Sequence, residues 1–330
     1  MNPRRIRGLQ FVAVMFAAAL AAIPAFARTE GRFERTLQVN GPVDLQVSTG
    51  SGSIHVRAGS DGSVRVVCNI RANNSWRGSD SDAEQKIQYL EAHPPIEQDG
   101  NTIRIGHVDD EELTRHLSLS YEIETPAATQ LRSTSGSGSL DAEGIAGPVE
   151  ATTGSGSIGM KKIGGEVNGR TGSGGITLED VHGAVHAQAG SGGITGRNVA
   201  GNFTASTGSG SIELEQSGPG DVDIETGSGG AELRGVKGSV RVSAGSGSIS
   251  VDGAPAGPWR LRTGSGSVEV RLPQDAAFEL SARTGSGGIE SSLPITVQGR
   301  ISPREIHGTV HGGGPLMELS TSSGNIRIEQ

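Results

Sequence analysis

One five-residue phrase recurs through this sequence and limits what it can fold into. It reads Gly-Ser-Gly-Ser-Ile or Gly-Ser-Gly-Gly-Ile, usually with Thr or Ala in front. It opens at Gly50, Gly136, Gly154, Gly172, Gly190, Gly208, Gly227, Gly245, Gly264 and Gly285, and a worn copy runs Ser322-Ser323-Gly324-Asn325-Ile326. From Gly136 to Gly208 the spacing is 18 residues every time; it then runs 19, 18, 19 and 21. There are 53 Gly in the chain, a richness that without a period would mark a flexible linker. Here Ile, Val and Leu recur in phase with the Gly, which is the signature of a repeat architecture.

Counting each coil from the first Gly of its phrase, position 5 holds Leu140, Ile158, Ile176, Ile194, Ile212, Ala231, Ile249, Val268 and Ile289. With the one- to three-residue insertions allowed for, position 14 holds Val149, Val167, Val185, Phe203, Val222, Val240, Trp259 and Phe278. The positions between alternate with polar residues, so each coil reads as two strands separated by Gly-rich turns. Eighteen extended residues span at most ~60 Å. Bent into a closed loop, that leaves a narrow section of two or three sides, with coils pairing in parallel ~4.8 Å apart. Gly then serves corners that need positive φ and backbones that approach closely, and the Ser hydroxyls are expected to bond along the stack or at the turn.

Position 8 carries Glu143, Lys161, Glu179, Arg197, Glu215, Arg234, Asp252 and Arg271, a sign change at every coil. In-register stacking would line these up as an outward ladder of alternating charge. Like charges opposite one another destabilise, so the ladder favours one register. Position 16 runs from Ala151, Gly169, Ala187 and Ala205 to Ile224, Val242, Leu261 and Leu280, which predicts an interior that widens along the body.

The chain divides into four parts. Residues 1–27 read as an export signal: Arg4, Arg5 and Arg7, an apolar run from Phe11 to Ile23, and a small-x-small site at Ala25-Phe26-Ala27. Cleavage after Ala27 would leave the chain in the periplasm, the cell envelope or outside the cell. It removes three Arg and no acid, so the net charge of −8 becomes −11, which argues against affinity for nucleic acid or anionic lipid. Residues 28–59 hold strands and the first coil. Residues 60–131 break the period: Val64, Val66, Cys68 and Ile70 mark a half-buried strand, Asp82 to Glu91 a helix capped by Ser81 or Asp82, and Thr102–Ile105 and Leu117–Ile123 two further strands. This α+β insert is expected to cover one end or flank of the repeat body, 132–330. The single cysteine, Cys68, rules out an internal disulfide and falls on the apolar side of its strand.

No chemical constellation stands out. Gly154 to Gly159 fits G-x-G-x-x-G, but a dinucleotide site needs a strand before it and a helix after it. Calcium-binding glycine repeats need a recurring Asp that is absent here. His182-Gly-Ala-Val-His186 and His307-Gly-Thr-Val-His311 share a pattern that could chelate a metal on a helix, whereas in extended chain i and i+4 lie ~13 Å apart. Glu213, Glu215, Asp223, Glu225 and Glu232 lie on coil faces, and Glu213 and Glu232 share position 6 of adjacent coils, the one pairing a carbohydrate-cleaving β-helix could use. No catalytic, cofactor-binding or metal-binding residue is assigned.

The phrases, together with Tyr121-Glu122-Ile123-Glu124-Thr125-Pro126, Val268-Glu269-Val270-Arg271-Leu272-Pro273 and the ending from Gly308-Thr309-Val310 through Gly312-Gly313-Gly314-Pro315 to Ile326, resemble the DUF4097 family. The resemblance covers most of residues 36–330. It implies a β-strand-repeat protein of a family labelled as adhesins, and supplies no catalytic residues. The sequence therefore predicts an all-β parallel solenoid with ~18-residue coils. It is expected to be exported and non-enzymatic, and to meet an unknown protein or glycan partner at the envelope. A carbohydrate-active β-helix, or self-association through the solenoid ends, are the alternatives.

Overall fold

The computed structural model describes residues 30–72, 80–108, 111–297 and 302–330. The export signal, Trp76 and the Ser81 side chain that would cap the helix lie outside the described residues. Two long sheets of 14 and 15 strands face one another, and most of the chain between Thr129 and Ser323 alternates between them. Taken across its corner, each coil gives one strand to each sheet, as Val149–Thr153 and Ile158–Ile163 do for the Gly154 coil. The coil therefore has two sides. Its strands pair in parallel at the register of the repeat: Ile158 opposes Ile176, Ile176 opposes Ile194, and Ile194 opposes Ile212. The apolar columns at positions 5 and 14 fill the space between the sheets, with Trp259, Phe203 and Phe278 fully buried. Small residues face large ones across this core: Gly169 lies under Ile176 and Met160, and Gly196 leaves the space that the Phe203 ring occupies.

The corner between the sheets explains the phrase. A Cβ on the third residue, such as Gly174, would overlap the carbonyl of Gly156 one coil below, and the same holds for Gly138, Gly156, Gly192, Gly210 and Gly229. Positive φ appears at this position only toward the ends, at Gly52, Gly247, Gly266, Gly287 and Gly324. Close approach of stacked backbones thus selects Gly in the middle coils, rather than an unusual dihedral. A second glycine column, at Gly147, Gly165, Gly183, Gly201, Gly220 and Gly238, does the same at the opposite corner.

The hydroxyl that bonds along the stack in most coils belongs to the residue before the phrase; the phrase serines do so only toward the ends, as Ser51 does to the Leu117 carbonyl. Thr171 donates to the carbonyl of Gly156 (2.8 Å) and accepts from the amide of Gly174 (3.1 Å). Thr153, Thr207 and Thr226 repeat both bonds. Thr263 and Thr321 repeat the donation. These threonines are buried, and in the four middle coils the hydroxyl satisfies two backbone groups at once.

At both ends the stack departs from chain order. The strands Val43–Thr49 and Ile54–Ala58 of the Gly50 coil pair directly with Thr129–Ser135 and Leu140–Glu143. The segment between them adds outward: Leu117–Thr125 and Ser63–Ala72 extend the first sheet, and Thr102–Ile105 and Ile96–Asp99 extend the second. Glu30–Gln38 pairs antiparallel with Ser63–Ala72 as the edge. The helix Asp80–Ala92, two residues longer at its start and one at its end than the sequence suggests, buries Ala83, Ile87 and Leu90 against this end of the core. At the other end, chain order would place the Gly285 coil on the Gly264 coil. Instead Leu316–Ser323 and Ile326–Glu329 lie between them, pairing on both sides. Ile326 and Ile328 are fully buried there, while the shorter Ile289–Ser291, only half-buried, takes the edge. A short strand at an exposed edge offers less template for unwanted pairing.

The charge ladder follows the stack, not the sequence. Its outward run starts Arg65, Glu124, Arg57, Glu143, Lys161, Glu179, Arg197, each opposite the next. Glu215 opposes Arg234, Asp252 opposes Arg271, and Arg271 opposes Glu329. It is interrupted after Arg197 and Arg234, where the strands shift register.

Cys68 and Tyr121 are cross-strand partners, both fully buried near the helix. Burial pushes the Cys68 thiol up to about 12, against a smaller lowering by the Tyr121 hydroxyl. The neutral thiol is the folded form, so its contribution to stability is complete below the ordinary thiol range and fades as pH rises toward 12.

Two outcomes are expected. Thr171→Val should lower stability by about 1–3 kcal/mol in denaturant melts by orphaning the Gly156 carbonyl and Gly174 amide, while Ala189→Thr, which restores the missing hydroxyl of its column, should raise stability. A thiol reagent at pH 8 should label Cys68 no faster than the chain opens, and labelling at the rate of an unfolded peptide would contradict the buried thiol.

Candidate functional site

Among the described residues, the outer face of the first sheet carries a groove of about 540 Å³. Its floor is the position-6 row. Register sets Glu122 opposite His55 and His55 opposite Asp141, followed by Gly159 and Thr177. The position-8 charges form one wall, and Val67, an outward-facing but buried valine opposite Glu122, lies at one end.

Most of the charges are paired. Glu124 meets Arg57 and, at 3.8 Å, Arg65, and Lys161 holds Glu179 at 3.0 Å. Lys162 reaches Glu143 at 3.5 Å from a left-handed φ of 55°, while Arg65 also holds Glu34 at 2.8 Å. The Lys161 ammonium is raised above the usual range chiefly by its bond to Glu179, and Glu34 is lowered chiefly by its bond to Arg65. His55 Nδ1 lies 3.0 Å from Asp141 Oδ2. Burial raises the Asp141 carboxyl, and the opposing pull of His55 is the smaller effect. Glu122 has no ion pair or side-chain hydrogen bond among the described residues. Gly159 carries no side chain in this row, and the Asp141 carboxylate leans into the place its Cβ would take.

A longer trough of about 890 Å³ follows the glycine corner from Thr152 to Gly245. It is lined by backbone and by small or polar side chains such as Gln188 and Ser206, with Arg170 and Glu225 on its rim.

The residues singled out in the sequence fall elsewhere. Glu213 and Glu232 are directly opposite on neighbouring strands, both exposed, and Glu232 is taken by Arg234. Asp223 and Glu225 belong to the second sheet and face away from them, so the five coil-face acids do not converge. Gly154 to Gly159 is a corner between two strands with no helix after it. His186 lies 4.0 Å from Glu166, His307 lies 3.2 Å from Glu305, and His311 Nδ1 lies 3.0 Å from the Ala276 carbonyl oxygen. Among the described residues no cluster of three or more His, Cys, Asp or Glu could hold a metal ion, and no helix is long and apolar enough to cross a membrane. Sequence reasoning missed the groove because its row joins residues 55, 122 and 141. A signal was present, since His55 and Asp141 both occupy position 6 of their coils.

No curated protein matches the chain. Among solved structures it is similar to a "putative cell adhesion protein" from Clostridium sporogenes ATCC 15579 (12% identity, 91% of this chain and 99% of that one, TM-score 0.23). A "putative lipid binding protein" from Parabacteroides distasonis ATCC 8503 matches at 14% identity over 90% of this chain and 96% of that one, with TM-score 0.31. A "putative adhesin" from Bacteroides fragilis NCTC 9343 matches at 15% identity over the same shares, with TM-score 0.28. Such low TM-scores add nothing to the fold, which rests on the strand pairing itself. The family model described as Toastrack DUF4097 matches residues 161–329, more than half of the chain, and the chain belongs to that family.

Proposed function

We propose that the protein is an exported, non-enzymatic binding scaffold of the cell envelope or cell surface, and that a partner docks in the groove on the first sheet. The observation that carries this reading is the groove itself: an open hollow on an in-register sheet face, floored by His55, Glu122 and Asp141 and walled by the position-8 charges. Residues 1–27 supply the export signal. The adhesion names of two similar structures agree with a binding role, and nothing in the groove supplies an activated nucleophile.

The purified chain is expected to bind at least one component on arrays of glycans, peptidoglycan fragments and extracellular-matrix proteins. Gly159→Phe should fill the groove and reduce that binding about tenfold or more, a loss of ~1.4 kcal/mol, with an unchanged melting temperature. Binding that survives Gly159→Phe would remove the groove from the reading, and a hydrolytic or lyase activity in place of binding would remove the non-enzymatic role. In the native cell, fractionation with surface proteolysis should find the chain outside the cytoplasm, beginning at Arg28; recovery in the cytoplasm with residues 1–27 attached would contradict export.

A further inference from the structure

The pairing of charges around the groove leaves a specific remainder. Glu124, Glu143 and Glu179 each have a lysine or arginine partner. Among the described residues Glu122 and Asp141 have no lysine or arginine within ion-pair distance, and His55 lies between them. In register, the two carboxylates project from strands two spacings apart, ~10 Å along the stack. The row thus carries two carboxylates: Arg65 on the groove wall acts on Glu122 without reaching it as an ion pair, and Asp141 has only His55 in contact. Room for a ligand lies in the groove over this row, where the Asp141 carboxylate leans across Gly159 and the buried Val67 closes the end next to Glu122.

Resting on the groove as the docking face, we propose that it takes the ammonium group of a lysine side chain carried on an extended peptide segment of a partner protein. Glu122 and Asp141 would supply the counter-charge, and His55 would accept a hydrogen bond between them. Charge complementarity selects a cation over an anion. A lysine suits a groove of this depth, because its long stem carries the charged head to the floor while the partner's backbone stays outside. An amino sugar would bring the same ammonium, but the groove has no aromatic ring to stack a sugar against.

The test uses the full mature chain and a fluorescent hexalysine peptide at pH 8 and 150 mM salt. Glu122→Gln with Asp141→Asn should weaken binding about tenfold or more. Glu213→Gln with Glu232→Gln removes the same charge from the same face outside the groove, and should change binding less than about twofold, the scale of exposed, screened charges. Because burial makes the ionised Asp141 carboxylate a cost to the fold, the Asn variant should keep its structure, with the melting temperature as the check. Equal losses in both double variants, or no saturable binding by the native chain, would overturn the proposal. So would tight binding of a glucosamine oligomer with none of hexalysine. If an array partner is displaced by Gly159→Phe while hexalysine neither binds nor competes, the groove stands and the ammonium assignment falls. If Gly159→Phe leaves that partner bound, the docking reading itself falls.

Discussion

The structure depends on how closely one coil backbone can lie on the next. At the Gly-Ser-Gly corner the amide and carbonyl groups of stacked coils are so near that no Cβ fits at the third position, and the buried threonine before the phrase must satisfy the groups that this closeness hides from water. Everything else in the coil follows from that spacing. The apolar columns meet because the corner fixes where each strand begins. The outward charges alternate against one another because the strands cannot slide without carrying the corner with them. The groove lies on this regular face, where the row Glu122, His55 and Asp141 runs beside the charge ladder.

Much of the fold was legible because the repeat is strict. Position 5, position 14 and the alternation at position 8 were readable from spacing alone; the structure pairs the first two in that register and the third except after Arg197 and Arg234, where bulges break it. Two things were not legible. The roles around the phrase were divided differently: its serines were expected to bond along the stack, yet most of the hydroxyl bonds come from the threonine in front, at Thr153, Thr171, Thr207 and Thr226. The order of coils at the ends also escaped, because spacing along the chain carries no record of which strand is inserted between two others. Ile326 reads as the start of one more coil, and only its pairing with both Val268 and Ile289 shows where it belongs.

The same limit hid the site. Glu213 and Glu232 were visible as a pair because they belong to consecutive coils, and the structure does place them opposite one another. His55, Glu122 and Asp141 are brought together only because the strands Ile54–Ala58, Leu117–Thr125 and Leu140–Glu143 become neighbours across two long excursions of the chain. The charge ladder shows this most plainly. Its sign alternation, apparent in the sequence from Glu143 onward, continues without a break through Arg57, Glu124 and Arg65, whose numbers give no hint of that order.

The placement of Leu316–Ser323 and Ile326–Glu329 between two earlier coils has a consequence for how the molecule assembles. A solenoid can ordinarily grow as its chain emerges, each coil docking on the one before. Here the Gly285 coil has no finished surface to dock on until residues 316–329 have arrived and taken their place. The body can zip up in order of synthesis, but its closing end must wait and then thread. That end is accordingly the last part to become resistant to proteases, and a chain cut short before Leu316 would leave the apolar edge of the Gly264 coil unpaired.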